Sequence, residues 1–321
     1  MRVALDVSPL RLTRAGSAQY VLGLREALRG RVEVEELAWG GRGRATAVVR
    51  DAWWYPFALP RRARDADVLH CPTFRGPWRG ATPLVVTVLD LSVLRHPEYF
   101  NRWTRSYSRV AVPRVVRAAR RLIAISEFTK RELVELLRVD PDRVAVIGVP
   151  PRAFLAHGPR ADGEYVLAVG TLEPRKNLER AAEAARRAGI ELRVVGARGW
   201  GDVSTNGVRW LGEVPDERLA ALLRGARALV YPSLYEGFGL PILEAMTVGT
   251  PVVTSAGGAT EEVAGGAAVL VDPRDAASIA AGIEEADRRR EQLRPLGFER
   301  AAAFSWDDVA ERTGAVYEAA A

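Results

Sequence analysis

Short runs rich in Val, Leu and Ala alternate along this chain with stretches whose apolar residues recur at helical spacing. That alternation is the pattern of parallel βαβ units with helices on both sheet faces, so the expected class is α/β. In the first half it predicts strands at 2–6, 32–37, 68–71, 84–89, 122–125 and 144–147, and helices at 17–28, 103–120 and 127–138. The last of these helices opens on Ser126, Glu127 and Thr129, which supply N-cap and first-turn chemistry, and closes before Asp140-Pro141. Gly148-Val149-Pro150-Pro151, Gly158-Pro159 and Asp162-Gly163 form the densest punctuation in the chain and mark an interdomain linker. Beyond it the pattern restarts, with strands at 165–169, 192–195, 208–211, 228–231, 251–254 and 268–271 and helices at 177–187, 216–224, 241–248 and 275–292. Two doubly wound domains in tandem are expected, at 1–155 and 156–303, each presenting its strand carboxyl ends to a crevice. An amphipathic segment at 306–317, within the remaining 304–321, is too isolated to form a core and must pack on one already built.

Composition agrees with this organisation. The chain has 321 residues, enough for two domains of about 100 to 200 residues each. Hydrophobic residues at 48% and charged residues at 27% exclude disorder and fibrous repeats. No run of about 18 apolar residues occurs, and the opening MRVALDVSPL turns polar too soon for a signal peptide, so a cytoplasmic location is expected. The single cysteine, Cys71, excludes an internal disulfide and is read as packed at a strand end. His70, His96 and His157 lack paired metal-ligand spacing, so no metal site is expected. His70 reads as a satisfied edge residue and His157 as a linker surface residue.

Charge is divided unevenly, with a net of +11 over residues 1–150 and −5 beyond them. A basic half can face nucleic acid, an anionic membrane or a phosphorylated substrate. Nucleic acid ranks lowest, because the arginines are scattered and no recognised binding signature accompanies them. Two features stand out: the aromatic cluster Trp53, Trp54, Tyr55 and Phe57 before Pro60-Arg61-Arg62, and the arginines at 105, 109, 114, 117, 120 and 121 on one helix. The first suits a core, an acceptor mouth or a membrane headgroup layer, and the second suits a solvated face or an anionic membrane.

Candidate chemistry lies in two strand-to-helix turns. Gly170-Thr171-Leu172-Glu173-Pro174-Arg175-Lys176-Asn177-Leu178 places a helix N-terminus beside two cations, and Arg175, which can fork two phosphate oxygens, and Lys176, a point charge, together suit a diphosphate. The plain alternative is a solvated basic turn. Glu236-Gly237-Phe238-Gly239-Leu240-Pro241-Ile242-Leu243-Glu244-Ala245 puts glycines where a backbone can approach a ligand and carries two carboxylates, which accept from sugar and ribose hydroxyls. Its plain alternative is a helix whose acidic first turn complements the dipole.

These residues resemble the donor domain of the retaining GT-B glycosyltransferases, specifically glycosyltransferase family 4, whose two glutamates separated by seven residues are met by Glu236 and Glu244. The Gly-Thr-Leu-Glu-Pro-Arg-Lys-Asn-Leu segment is similar to that family's phosphate-binding motif, and Ile125-Ser126-Glu127-Phe128-Thr129 to the last strand-to-helix turn of its acceptor domain. The resemblance implies a GT-B fold of two Rossmann-like domains facing a cleft, with 1–155 binding the acceptor, 156–303 binding the donor and the helix in 304–321 packing back on the first domain. It implies a metal-independent, hexosyltransferase-like enzyme that needs no cofactor beyond its donor substrate, a nucleotide diphosphate sugar. Its product would be a polysaccharide, a glycolipid or a glycosylated metabolite. Arg175 and Lys176 would neutralise the diphosphate, Glu244 would hold the ribose hydroxyls, and Glu236 with the amides of Phe238, Gly239 and Leu240 would hold the sugar and its phosphate. Gly170 belongs to the same phosphate-binding turn, and Gly16 in Arg14-Ala15-Gly16-Ser17 would be the close-approach glycine of the first domain.

The chain departs from the family pattern at two places. Ala18-Gln19-Tyr20 stands where Gly-Arg-Tyr is usual, and in Val86-Thr87-Val88-Leu89-Asp90 the position commonly held by histidine is Leu89. The second departure keeps open a non-catalytic nucleotide-sugar binding protein. A Rossmann oxidoreductase is disfavoured because no Gly-x-Gly-x-x-Gly follows the first strand. Besides the donor, the expected partner is an acceptor of anionic or lipid-linked chemistry reached by peripheral contact at the inner membrane face.

Overall fold

The computed structural model describes residues 1–12, 16–41, 43–152, 154, 157–199, 201 and 203–321. Arg14 and Ala15, and the expected boundary between 155 and 156, fall outside them. The chain divides into two compact units, Met1–Val149 with Ser305–Ala321, and Pro150–Phe304.

In the first unit the order is β1 (Arg2–Asp6), α1 (Gly16–Leu28), β2 (Glu33–Leu37), α2 (Arg44–Val49), a π-helical stretch Arg50–Ala58, α3 (Leu59–Arg62), β3 (Val68–Cys71), β4 (Leu84–Val88), α4 (Ser92–Arg95), α5 (Arg102–Ala118), β5 (Arg121–Ala124), α6 (Glu127–Leu137) and β6 (Val144–Val146). Its six strands make a wholly parallel sheet in the order β2-β1-β3-β4-β5-β6. All five residues of β4 are buried, as flanking helices require of a central parallel strand. β2 lies at the edge and exposes Glu33 and Glu36, charges that blunt pairing with another chain. Ser126 caps α6 by accepting from the Thr129 amide at 3.0 Å.

His70 is not an edge residue. β3 is an interior strand, and the imidazole is fully buried between the Tyr317 hydroxyl at 2.7 Å from Nδ1 and the Thr87 hydroxyl at 2.9 Å from Nε2. Strand order, which no local pattern encodes, puts it there. Tyr317 comes from the terminal helix α13 (Trp306–Glu318), whose Trp306 ring occupies the space above Gly23 on α1; a Cβ at Gly23 would come within 1.9 Å of that ring. The aromatic cluster is split by its helix: Trp54 and Tyr55 are buried, while Trp53 and Phe57 are exposed. Cys71 is buried at the end of β3, and His157 is exposed.

The second unit runs β7 (Tyr165–Val169), α7 (Leu178–Arg187), β8 (Glu191–Val195), β9 (Arg209–Trp210), α8 (Asp216–Gly225), β10 (Leu229–Tyr231), α9 (Leu240–Thr247), β11 (Val252–Ser255), α10 (Gly258–Ala264), β12 (Val269–Val271), α11 (Ala276–Arg288) and α12 (Arg290–Ala302). The sheet is again parallel, in the order β12-β11-β10-β7-β8-β9. The single helix expected at 275–292 is two, because the backbone leaves helical geometry at Arg289 (ψ 11°) and a new helix starts at Arg290. α12 then reaches α9, where Gly297 lets Met246 approach to 3.2 Å of where a Cβ would stand.

The chain lays β7, β8 and β9 towards one edge and then returns to lay β10, β11 and β12 towards the other. The order therefore reverses between β7 and β10. In an open α/β sheet, that reversal leaves a crevice at the strand carboxyl ends where no crossover covers the sheet.

Candidate active site

Both candidate motifs leave the sheet at this reversal, one after β7 and the other after β10. The first turn begins at Gly170, whose φ of 151° favours glycine; the neighbouring Gly196 passes so close that a Cβ on it would lie 1.9 Å from the Gly170 carbonyl oxygen. A short 3-10 turn, Pro174–Lys176, then presents both cations, and it ends on Asn177 in left-handed geometry (φ 60°). The Asn177 side-chain amide donates to the carbonyls of Pro232 at 2.9 Å and Pro273 at 2.6 Å. The Leu234 amide donates to the Arg175 carbonyl at 2.8 Å. Those bonds tie the first turn to the second, so residues about 60 positions apart become neighbours.

Glu236 is the centre of the arrangement. Its carboxylate accepts from Arg175 Nη1 at 2.7 Å, Lys176 Nζ at 2.5 Å and the Tyr231 hydroxyl at 2.8 Å. Tyr231 in turn accepts from Lys176 Nζ at 2.6 Å, and Arg175 Nε donates to Glu173 at 2.7 Å. Burial alone would push the Glu236 carboxyl up, but the charges of Arg175 and Lys176 outweigh it and hold the group at about 2. Burial pulls the Lys176 ammonium down, with Glu236 opposing. Tyr231 stays well above its ordinary range, through burial first and the Glu236 charge second, and so remains a donor. The cluster is a pre-assembled patch of fixed charge at a site partly shielded from water, where electrostatic interactions with a bound anion are strong.

The remaining expected residues take distinct places. Phe238 turns its ring into the core, edge-on to Phe304 with centroids 5.7 Å apart, so its backbone is what it offers to a ligand. Gly239 (φ 117°) caps α9, and Leu240 and Pro241 open it; the first-turn amides of a helix have no intrahelical acceptor and suit an anion. Glu244 follows on α9, buried, with its carboxylate forked by Arg152: Nε to Oε1 at 2.6 Å and Nη2 to Oε2 at 3.2 Å. Gly16 opens α1 of the first unit, and a Cβ there would meet nothing within 4 Å, so packing does not demand the glycine. Leu89 follows the end of β4 and is half-buried.

The cations and both glutamates stand out in the sequence, whereas three of their partners do not. Tyr231 is the last residue of the strand expected at 228–231, and its place beside Lys176 is a tertiary contact that no local pattern shows. Glu173 stands within the first motif. Arg152 lies in the linker, and nothing local to it points towards α9. Among the described residues there is no group of three or more His, Cys, Asp or Glu side chains that could hold a metal ion, and no helix is long and apolar enough to cross a membrane.

Two parallel doubly wound units in tandem are the architecture of the GT-B glycosyltransferases. Residues 14–149 match the model described as Glycosyltransferase Family 4, and residues 152–297 match Glycosyl transferases group 1; the chain belongs to this family. It is 30% identical to the O-antigen chain mannosyltransferase B of Escherichia coli, over 99% of this chain and all of that one. It is also 31% identical to the MMP alpha-(1->4)-mannosyltransferase of Mycolicibacterium hassiacum, over 64% of this chain and 56% of that one. The fold is similar to those of sucrose-phosphate synthase from Thermosynechococcus elongatus (TM-score 0.76, 22% identity, 99% and 98% of the two chains) and Anabaena Alr3699/HepE in complex with UDP and glucose (0.73, 18%, 99% of each).

Proposed function

We propose that the protein transfers a sugar, with retention of anomeric configuration, from a nucleoside diphosphate sugar to an acceptor hydroxyl in the synthesis of a polysaccharide, a glycolipid or a glycosylated metabolite. The observation that carries this reading is the meeting of Arg175, Lys176, Glu236 and the N-terminus of α9 at the reversal between β7 and β10. The mannosyltransferase similarity across the whole chain supports a hexose donor, and the UDP named in the Anabaena structure supports a nucleoside diphosphate as its leaving group.

In this reading Arg175 and Lys176 stabilise the charge that develops on the leaving diphosphate, with the α9 amides and the turn at Gly170 as further donors. Glu236 holds a sugar hydroxyl, and its low pKa keeps it an acceptor throughout the working pH range. Glu244 holds the ribose hydroxyls. With Leu89 where a histidine is common, the leaving phosphate itself takes the acceptor proton on the front face. Protein cations meet the diphosphate charge, so activity is expected to survive excess EDTA. Leu89 also favours a second reading, a protein that binds the donor without turning it over.

The first test is a thermal-shift screen with ADP, GDP and UDP, followed by incubation with the matching sugar nucleotides with and without EDTA and by NMR of the product's anomeric centre. A selective shift with retained configuration in EDTA is the expected result. No shift with any diphosphate sinks the donor assignment, and binding without turnover favours the second reading.

The acceptor side is proposed to face an anionic membrane. The helical stretch from 44 to 62 exposes Val48, Val49, Trp53 and Phe57 beside Arg61 and Arg62, and α5 exposes Trp103 and Val110 beside Arg102, Arg105 and Arg109. The two are neighbours: Asp51 of the first pairs with Arg75 at 2.6 Å, and Arg75 lies 5.5 Å over the ring of Tyr107 on α5. Exposed apolar side chains interspersed with arginine are the composition of a surface that enters a headgroup layer.

A further inference from the structure

Arg152 follows Pro150-Pro151 at the start of the second unit, and each of its three guanidinium nitrogens donates a hydrogen bond. It forks the Glu244 carboxylate, donates through Nη1 to Asp216 at 2.5 Å, and rests over the Phe154 ring at 4.9 Å. Asp216 opens α8 and Glu244 lies on α9, so one planar side chain joins two helices. Among the described residues Arg152 is the group that bonds to both Glu244 oxygens.

We infer that Arg152 is a positioning residue for nucleoside recognition, which holds the buried Glu244 carboxylate oriented so that its two oxygens accept the vicinal hydroxyls of a ribose. This rests on the reading of Glu244 as the ribose contact. The Glu244 side chain is only 4% exposed, and the Arg152 fork fixes the direction of both its oxygens. A carboxylate offers about four lone-pair sites, and the fork takes one on each oxygen, which leaves one on each for a hydroxyl donor. A vicinal diol matches that remaining pair. Displacing Arg152 instead would leave the carboxylate buried against neutral hydroxyls alone and the guanidinium with Asp216 only, so the ribose adds to the pair and does not replace it. Lysine, a point charge, cannot make the fork.

The test is titration calorimetry with whichever of ADP, GDP or UDP gives the largest thermal shift, and with its 2′,3′-dideoxy analogue, on wild type, Arg152→Ala, Arg152→Lys and Glu244→Gln. Arg152→Ala is expected to weaken ribonucleotide binding about tenfold while changing dideoxy binding little, and Arg152→Lys to restore part of the preference. Tighter binding by Arg152→Ala, or equal losses for both ligands, overturns the inference, the first because Arg152 would then be a competitor and the second because its role would be merely structural. Should Arg152→Ala fail to fold, the Arg152→Lys ratio alone decides. A Glu244→Gln variant with an unchanged ribose preference overturns the ribose reading itself, whereas a collapsed preference there with an intact one in Arg152→Ala overturns only the role given to Arg152.

Discussion

At the scale of single residues, the site and the first-unit core use burial in opposite ways. Arg175 and Lys176 are not loose surface cations: their side chains are 15% and 16% exposed, and both neutralise Glu236. Replacing either with alanine therefore removes a diphosphate contact and also strips a partner from a buried carboxylate. Each variant is expected to bind a nucleoside diphosphate about tenfold or more weakly and to lose about 1 to 3 kcal/mol of stability, by calorimetry and urea unfolding. Unchanged affinity in both would remove the diphosphate assignment. In the first unit, burial depresses His70 to about 3, and burial raises Asp6 to about 6 against two hydrogen bonds from Ser8. The unfolded chain takes up the His70 proton near pH 6.5 and the folded chain refuses it until about 3, so this group's contribution falls as pH falls through that window. Asp6 has the opposite sign: its folded pKa is raised, so its contribution grows as pH falls from about 6 towards 3.9. The two slopes oppose one another, so in the wild type Asp6 offsets part of the His70 loss. His70→Gln is expected to gain about 2 kcal/mol relative to wild type between pH 7 and pH 5 in urea titrations, and a constant difference would mean that the folded imidazole protonates freely.

At the scale of elements, periodicity told where most helices and strands lie and, on α5, which side meets water. The arginines of α5 at 105, 109, 114 and 117 are exposed, while Val112, Val115 and Val116 are buried against the sheet. The π-helical stretch 50–58 carries Pro56 and was legible only as an aromatic cluster, because its wider turn breaks the 3.6-residue spacing. That same geometry points Trp53 and Phe57 outward while Trp54 and Tyr55 enter the core. If these two elements meet a bilayer, the protein should co-sediment with anionic vesicles at low salt, release at high salt, and ignore neutral vesicles, since each cation near an anionic leaflet contributes about 1 kcal/mol. Trp53→Ser with Phe57→Ser should weaken this attachment with little change in stability, because both side chains are about half exposed. Equal and negligible binding to both kinds of vesicle would leave the arginines as a solvated face.

At the scale of the whole molecule, the second unit is one continuous segment, Pro150–Phe304, whereas the first needs residues 305–321 to complete it. Without them His70 loses the Tyr317 hydroxyl, and the surface of α1 at Gly23 loses Trp306. A chain of residues 150–304 is expected to unfold cooperatively and to bind the nucleoside diphosphate alone, while 1–149 should lack a cooperative transition in urea until 305–321 is supplied. A cooperative 1–149 would show the terminal helix to be dispensable. The sequence by itself determined the α/β class, the strands of both sheets, and the two turns that carry Arg175, Lys176, Glu236 and Glu244, because hydrophobic period, glycine placement and helix-start chemistry are all local. Only the tertiary structure decided that β3 is interior, so that His70 is buried and neutral; that the turns after β7 and β10 meet, so that Glu236 is caged by both cations; and that Arg152 forks Glu244 from 92 residues away. Those three facts depend on strand order and on the path of the chain back across the sheet. Both are set by the joint burial of many apolar faces, and no single stretch of residues encodes them.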